Sequence, residues 1–146
     1  MATYSFLDVT ASLTGPTGVI DLGQGSANSE EGITQTMGGN KNTMTIGADG
    51  EVMHSLHADK SGTITVTLLK TSPVNKKLSL AYNAQSQSSD TWGNNVIVIR
   101  NTASGDISTA RSCAFQKQPD FNNAKEGGTV AWVFDCGKID QLLGEF

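Results

Sequence analysis

The most constraining feature of this sequence is a short alternating segment that leads directly into a helix start. Over residues 63–68, threonine alternates with isoleucine, valine and leucine. A β-strand here would place the aliphatic side chains on one face and the hydroxyls on the other. Ser72 and Pro73 follow; a serine hydroxyl can accept a free backbone N–H at a helix start, and proline suits the first helical position. The segment therefore predicts a strand followed by an α-helix over about residues 73–87.

The predicted helix carries more apolar surface than contact with one sheet requires. A helix that lies on a sheet needs an apolar stripe of about 100°. Here an arc of roughly 200°, counted at 100° per residue, contains Val74, Leu78, Leu80, Ala81, Tyr82, Ala84 and Gln85. Two interpretations stay open: the helix is sunk deeply in its own core, or it is buried partly between subunits.

Composition limits the function classes. A chain of 146 residues is long enough to bury one core without the help of disulfides or a cofactor, so we expect a single domain over residues 1–146. Charged residues make up only 16 %, and the net charge of −4 arises entirely from the first 40 residues. This is not the basic footprint of a nucleic-acid-binding protein. We also expect a soluble chain without a membrane span or a standard export signal, and two reduced, buried cysteines, Cys113 and Cys136.

Turn signals divide the first half of the chain into predicted antiparallel strands. Residues 4–13 and 19–22 flank a Gly-Pro-Thr-Gly turn and form an opening hairpin. Residues 23–32 are small, polar and acidic, so we expect an exposed loop. Residues 33–37 and 43–46 are expected to pair as a hairpin with a glycine-rich tip. Asp49-Gly50 indicates a type I′ turn into residues 52–58, and together these connections predict a meander.

The second half adds three further strands. Residues 96–99 are apolar on both faces, as in a buried central strand. Residues 107–118 form a long strand that ends at Pro119. Residues 129–136 are apolar at nearly every position, and residues 139–146 offer a docking tail through Leu142, Leu143 and Phe146. The fold class is therefore mainly β: an antiparallel β-sandwich or barrel with one flanking α-helix.

No residue pattern indicates catalysis, a metal or a cofactor. His54 and His57 are three apart, which on a strand sends them to opposite faces. Glu30 and Glu31 are adjacent in a predicted loop, where solvation explains them better than acid–base catalysis across a substrate. The Gly38–Thr43 segment lacks a glycine directly before its lysine and a following helix, so it is not a phosphate loop. We therefore expect no enzyme activity and no cofactor.

The sequence resembles the tail tube proteins of contractile-tailed bacteriophages. The resemblance is carried by SGTITVTLLKTSPVN at residues 61–75, preceded by GEVMHSLHADK at residues 50–60. It extends to YSFLDV near the start and AWVFDCG near the end. It implies a β-sandwich or barrel related to the ring protein of type VI secretion, with six copies in a ring and rings stacked into a tube.

The resemblance also implies partners and a location. A tail tube would meet the tail sheath, the baseplate and the tape-measure protein, and the phage genome would pass through it without specific binding. It would belong to the virion tail, assembled in the host bacterial cytoplasm, and would have no catalytic residues. Two alternatives remain: another ring-forming tail component, such as a terminator or a baseplate hub piece, or a carbohydrate-binding β-sandwich with Trp92, Trp132 and Tyr82 as a stacking platform.

Three sets of residues are the candidates for assembly. Stacking between rings needs an element that reaches along the axis, and the loop and hairpin over residues 23–42 are expected to supply it through Gly25, Ser26, Asn28, Glu30, Glu31, Gly38, Gly39, Asn40 and Lys41. Packing between subunits is expected from Leu80, Tyr82, Ala84, Trp132 and Phe134. A lumen that does not retain DNA should be neutral or acidic, and its hydroxyl-rich candidates are Thr34, Thr36, Thr63, Thr65 and Thr67.

Overall fold

A computed structural model of the chain describes residues 2–23 and 25–146, apart from the side chains of Ser29 and Glu31. A short 3-10 turn, Phe6–Asp8, precedes the first strand. The remaining elements are β1 Val9–Gly15, β2 Gly18–Asp21, β3 Asn28–Met37, β4 Asn42–Ile46, β5 Val52–Leu56, β6 Gly62–Leu69, α1 Val74–Gln85, β7 Asn95–Asn101, β8 Ile107–Phe115 and β9 Thr129–Leu142.

Seven strands form one antiparallel sheet in the order β2-β1-β7-β8-β9-β6-β3. The sheet curls around one core, because buried side chains from both edge regions and from α1 join the same cluster. Outside this core, the Gln35 amide of β3 donates to the Gln141 side chain of β9 at 2.9 Å, and its oxygen accepts from the Ser108 hydroxyl of β8. The predicted antiparallel fold with one flanking helix is confirmed.

The alternating segment over residues 63–68 forms a strand, as its pattern predicts. β6 lies between β9 and β3, and its Ile64, Val66 and Leu68 are fully buried. At the start of α1, the Val74 N–H donates to the Ser72 hydroxyl at 3.3 Å, while that hydroxyl donates to the Ser26 carbonyl at 2.6 Å. Ser72 thus accepts one N–H group at the helix start and ties the helix to the β2–β3 connection. The helix covers Val74–Gln85 rather than residues 73–87, with Pro73 at the N-cap position.

The predicted meander from β3 to β6 is wrong. β3 pairs with β6, with Thr34 opposite Thr65, and β4 pairs only with β5 in a separate two-stranded sheet. The Gly38 N–H donates to the Ser61 carbonyl at 2.9 Å, so β3 ends where β6 begins. This pairing places Ile33 beside Val66 and Gln35 beside Ile64 on the inner face of the sheet. The β4–β5 hairpin is therefore an excursion from the main sheet.

Four further boundaries differ from the expectation. The expected loop over residues 23–32 is partly strand, since β3 begins at Asn28. β8 ends at Phe115, three residues before the predicted end, and the first strand begins at Val9 rather than at residue 4. β9 continues to Leu142, so part of the expected tail is strand. The predicted docking side chains of that tail stay exposed, by 67, 69 and 56 %, at Leu142, Leu143 and Phe146.

Candidate assembly surfaces

The β4–β5 hairpin exposes apolar side chains on both strands. Ile46 lies opposite Val52, and Met44 lies opposite His54 on the same face, with Leu56 at its end. The exposed fractions are 59 % for Ile46, 51 % for Val52 and 81 % for Leu56. An isolated two-stranded hairpin is at best marginally stable in water. A hairpin that shows this much apolar surface is therefore typical of an element that is completed by a partner.

The hairpin turn is built by local chemistry. The Gly47 N–H donates to the Glu51 carbonyl at 2.8 Å, and the Gly50 N–H donates to the Gly47 carbonyl at 3.0 Å. Gly50 has φ +88°, a left-handed conformation that glycine adopts without strain. The Asp49 carboxylate accepts the Glu51 N–H at 3.2 Å. The loop is therefore a three-residue turn with a left-handed glycine rather than the predicted two-residue type I′ turn.

The two histidines lie at the base of this hairpin and do not meet. The His54 ring nitrogen Nδ1 lies 3.2 Å from the Asn42 amide, and the His57 Nε2 lies 2.7 Å from the Thr43 hydroxyl. Each ring thus orders a neighbouring polar side chain. Among residues 2–23 and 25–146, no three His, Cys, Asp or Glu side chains converge as metal ligands would. In the same residues, no helix is long and apolar enough to cross a membrane.

An ion triple holds the chain where it returns from the hairpin to β6. The Asp140 carboxylate accepts from Arg111 at 2.8 Å and from Lys60 at 3.3 Å. The Ile139 N–H donates to the Lys60 carbonyl at 2.9 Å. The hydrogen bond and charge of Lys60, with the charge and hydrogen bond of Arg111, lower the pKa of Asp140 from its ordinary value. All three side chains are about half exposed, so their energetic contribution is small and their role is positional.

The residues proposed for stacking fall into two groups. Gly38, Gly39, Asn40 and Lys41 are exposed and lead directly into the hairpin. Ser26, in contrast, is only 3 % exposed and donates to the Asp21 carbonyl at 2.9 Å, and Asn28 donates to the Leu22 carbonyl at 2.9 Å. The expectation of an exposed loop is wrong for these two.

Gly25 and Glu30, two further residues proposed for stacking, are exposed like residues 38–41. The Glu31 side chain lies outside the described part of the structure. A deletion of residues 25–31 would remove the start of β3 and the Ser26 carbonyl that accepts the Ser72 hydroxyl. Unfolding rather than a loss of stacking is therefore the expected result.

The residues proposed for packing between subunits divide in the same way. Trp132 and Phe134 are 3 % and 0 % exposed and belong to the core of their own chain, so this assignment is wrong. On β9 the inner face is buried in the core, whereas on the outer face Ala131 is exposed and Val133 is half-buried. Tyr82 is partly buried against Trp92 and Phe115, at ring distances of 5.8 and 5.5 Å. The three aromatic residues of the alternative sugar platform therefore pack around Phe115, with Trp132 buried and Tyr82 and Trp92 half-buried.

Leu80 and Ala84 do point outward from α1. Leu80 is 60 % exposed, and both residues line a groove of about 350 Å³ between α1 and β2. The buried side of the helix is narrower than its apolar arc, with Val74, Leu78, Ala81 and Gln85 as its buried residues. The chain's own core therefore leaves part of that arc uncovered, which favours the second of the two interpretations.

Four of the five threonines form one hydroxyl-bearing surface on the outer face of the sheet. Thr34 lies opposite Thr65 and Thr36 opposite Thr63 on β3 and β6, and the pattern continues onto β9 with Val133 and Asp135. Thr34 and Thr36 are exposed, and Thr63 and Thr65 are half-buried. Thr67 is only 9 % exposed, so its assignment to this surface is wrong.

Sequence reasoning missed the apolar side chains of the hairpin and an exposed aromatic residue, Phe121. The alternation of Val52, His54 and Leu56 was visible, but it was interpreted as a strand within the main sheet. Phe121 lies in the connector between β8 and β9 and is 95 % exposed. Its signal was weak, because a single phenylalanine in a polar loop gives no period.

Solved structures of similar fold come from contractile injection systems. A chain in the cryo-EM structure of the PVC sheath/tube terminator in its extended state matches with a TM-score of 0.62 at 10 % identity, covering 97 % of this chain and 98 % of that one. A chain in the PVC sheath–tube complex matches with a TM-score of 0.58 at 12 % identity, over 97 % and 92 %. A chain in the structure of the anti-feeding prophage cap matches with a TM-score of 0.55 at 8 % identity, over 99 % and 95 %.

Comparison at the sequence level is more decisive. No curated protein sequence matches the chain significantly. The model of a family described as the bacteriophage PhiTE tail tube protein, however, matches residues 1–144, nearly the whole chain. The mainly antiparallel fold agrees with that match. The chain therefore belongs to the bacteriophage PhiTE tail tube protein family.

Proposed function

We propose that this chain is the repeating subunit of a contractile tail tube, in which six copies form a ring and the rings stack into a hollow cylinder. The genome passes through the cylinder into the host, while the sheath surrounds it and the baseplate and tape-measure proteins meet its end. Assembly takes place in the host cytoplasm before the tail joins the virion. Family membership supports the structural role, and the surfaces described above supply the contacts.

The observation that carries the proposal is the exposed hairpin. Its apolar face holds Met44, Ile46, Val52 and Leu56, and each of them is more than half exposed in the isolated chain. At about 25 cal/mol per Å² of apolar area, covering such a face in a neighbouring ring is favourable. We therefore assign stacking to the hairpin and to the exposed residues 38–41 that lead into it.

The free edges of the sheet supply a means of closing a ring. β3 is a ten-residue edge strand that pairs with β6 on one side and leaves its other side open. β2, at the other edge of the sheet, has four residues. Unpaired strand edges attract further strands. Head-to-tail contacts that close by rotation generate rings, and a barrel of many strands encloses an open channel.

The threonine surface suits the wall of that channel. Thr34, Thr36, Thr63 and Thr65 present hydroxyls, and Asp135 beside them is acidic. Each Lys or Arg that pairs with a phosphate releases counterions and adds affinity for DNA. A wall made of hydroxyls and a carboxylate would let DNA slide without holding it.

Electron microscopy of point variants tests the stacking assignment. Ile46→Asp places a charge on the apolar face of the hairpin, and Thr45→Asp places the same charge one residue away on the opposite face. We expect the Thr45→Asp variant to form long tubes, and the Ile46→Asp variant to stop at single rings. Tubes of normal length from both variants would show that this face does not stack.

A tail terminator is the second candidate function. The fold is shared with a chain of the PVC sheath/tube terminator structure, at a TM-score of 0.62, as well as with a chain of the PVC sheath–tube complex, at 0.58, so the fold alone does not separate the two roles. A terminator would form one ring without stacking. Isolated rings from the unmodified chain, at every concentration tried, would therefore favour the terminator over the tube subunit.

A further inference from the structure

Phe121 is presented outward by a connector that is held on both sides of it. On one side, the Gln118 amide donates to the Asn83 side chain at 3.3 Å. On the other, Lys70 donates through its side chain to the Asn122 carbonyl and through its backbone N–H to the Gly128 carbonyl at 3.1 Å. These contacts tether the loop on both sides of Phe121, whose phenyl ring remains 95 % exposed. A tethered loop loses less conformational entropy than a free one when its aromatic residue is buried by a partner.

The groove between α1 and β2 has the complementary character. Its floor is formed by the buried Ile20 and Ala81, and its rim by Val19 and Leu80, which are 67 % and 60 % exposed. Its volume of about 350 Å³ is more than ten times the ~30 Å³ that one water molecule occupies. The groove therefore has the volume to hold an aromatic ring, and its lining is mainly apolar, with Thr17 and Lys77 as its polar members.

The connector and the groove lie on opposite flanks of the same helix. Asn75 and Ser79 border the connector, whereas Lys77 and Ala84 border the groove. At 3.6 residues per turn, the centres of these two sets are roughly 170° apart around the helix axis. Phe121 therefore cannot reach the groove of its own chain, and a contact between them joins two copies head to tail. Contacts of this type generate a ring when the rotation between neighbouring copies closes.

Charge is also complementary between the two surfaces. Asp120 precedes Phe121 and is exposed, and Lys77 lines the groove. The helix itself carries Lys76 and Lys77 and no acidic residue, so its surface is basic. An aromatic ring seated in the groove would bring the neighbouring carboxylate toward an ammonium group.

We propose that Phe121 of one copy inserts into the α1–β2 groove of the next copy in the ring, with Asp120 pairing to Lys77 of that copy. The partner is a second copy of this chain, and the inference rests on the proposed ring-forming function. The contact is head to tail, because the Phe121 connector and the α1–β2 groove are different surfaces of the chain. It is also separate from the hairpin, which faces another ring.

Cysteine cross-linking tests the contact directly. The Phe121→Cys, Ala84→Cys double variant is treated with a short bismaleimide, and a Phe121→Cys, Ala103→Cys variant serves as the matched control, since Ala103 lies exposed in the β7–β8 turn away from the groove. We expect a ladder of covalent oligomers from the first variant alone. Equal ladders from both variants, or a ladder from neither, would overturn the contact.

A charge exchange tests the ion pair. We expect Asp120→Lys and Lys77→Glu each to raise the concentration needed for assembly by about tenfold or more, and the double variant to restore assembly. Far-UV circular dichroism checks that these exposed substitutions leave the fold intact. If the unmodified chain assembles and all three variants assemble equally well, the inference fails alone; if the unmodified chain stays monomeric, the proposed function fails with it.

Discussion

A buried pair of amide side chains joins the end of α1 to the start of β7. The Asn95 Nδ2 donates to the Gln85 Oε1 at 2.7 Å, and the Gln85 Nε2 donates to the Asn95 Oδ1 at 3.0 Å. The Gln85 Nε2 also donates to Thr17, and the Asn95 Nδ2 to the Cys113 carbonyl. Both side chains are 0 % exposed. The pair is therefore sensitive to any change that leaves one amide without its partner.

Replacing Gln85 by methionine keeps the length of the side chain but removes its polar atoms. The Asn95 Oδ1 then loses its donor, while Asn95 Nδ2 keeps the Cys113 carbonyl. An unsatisfied buried polar atom costs about 1–3 kcal/mol, and the added apolar surface offsets part of the lost bonds. We expect Gln85→Met to lower the free energy of unfolding by about 2 kcal/mol, and Asn95→Leu to have a similar effect.

The double variant distinguishes a polar pair from mere packing. Replacing both partners by apolar groups can be nearly neutral, because no buried amide is left unpaired. We therefore expect the double variant to lose less free energy of unfolding than the two single variants lose together, by about 1 kcal/mol or more. Additive losses, or a loss below about 0.5 kcal/mol for Gln85→Met, would refute the reasoning.

Urea unfolding followed by tryptophan fluorescence measures these free energies. Trp92 and Trp132 pack around Phe115 at ring distances of 6.4 and 5.9 Å, so their emission reports on the core. The measurement is repeated at several protein concentrations, because assembly stabilises the folded chain by mass action. Gln118→Met, at an exposed amide, is the matched control and should change stability by less than about 0.5 kcal/mol.

Three further outcomes are expected. Gly62→Ala should destabilise by about 1–3 kcal/mol in thermal unfolding, since a Cβ would lie 2.4 Å from a backbone oxygen of β3, whereas Gly39→Ala, with open space around it, should be near neutral. Lys60 and Arg111 lower the pKa of Asp140 in the folded chain. The ionised Asp140 should therefore stabilise the fold above its unfolded-state pKa, and this stabilisation should be lost as the pH falls through its folded-state pKa. An NMR titration of Asp140 with its midpoint at the ordinary value would contradict this. Cys113 and Cys136 are free, buried thiols whose sulfur atoms lie 3.1 Å apart, and disulfides rarely persist in the bacterial cytoplasm. Mass spectrometry without reductant should therefore find both thiols free in assembled particles, and an intact bridge would contradict this. Replacing both by alanine should weaken packing without preventing assembly.

Much of the fold could be predicted because its signals are local. The alternation over residues 63–68, the Ser72-Pro73 helix start and the Gly15–Gly18 turn each act within a few residues, and the structure has a strand, a helix and a hairpin at these places. The site residues were harder to predict. An apolar residue such as Trp132 satisfies a core and an interface equally well in a sequence pattern, so its period could not assign it to either.

The amino-acid sequence by itself determined the β-rich class, the single helix and the uncovered apolar arc that Leu80 and Ala84 now occupy. Only the tertiary structure decided that β3 pairs with β6 across residues 38–61, because the alternation of β3 fits either neighbour. The cost of closing a longer loop rises slowly with its length, and the burial of Ile64 and Val66 outweighs it. That non-local pairing released β4 and β5 as an exposed hairpin, and with it the surface through which this tube protein is proposed to stack.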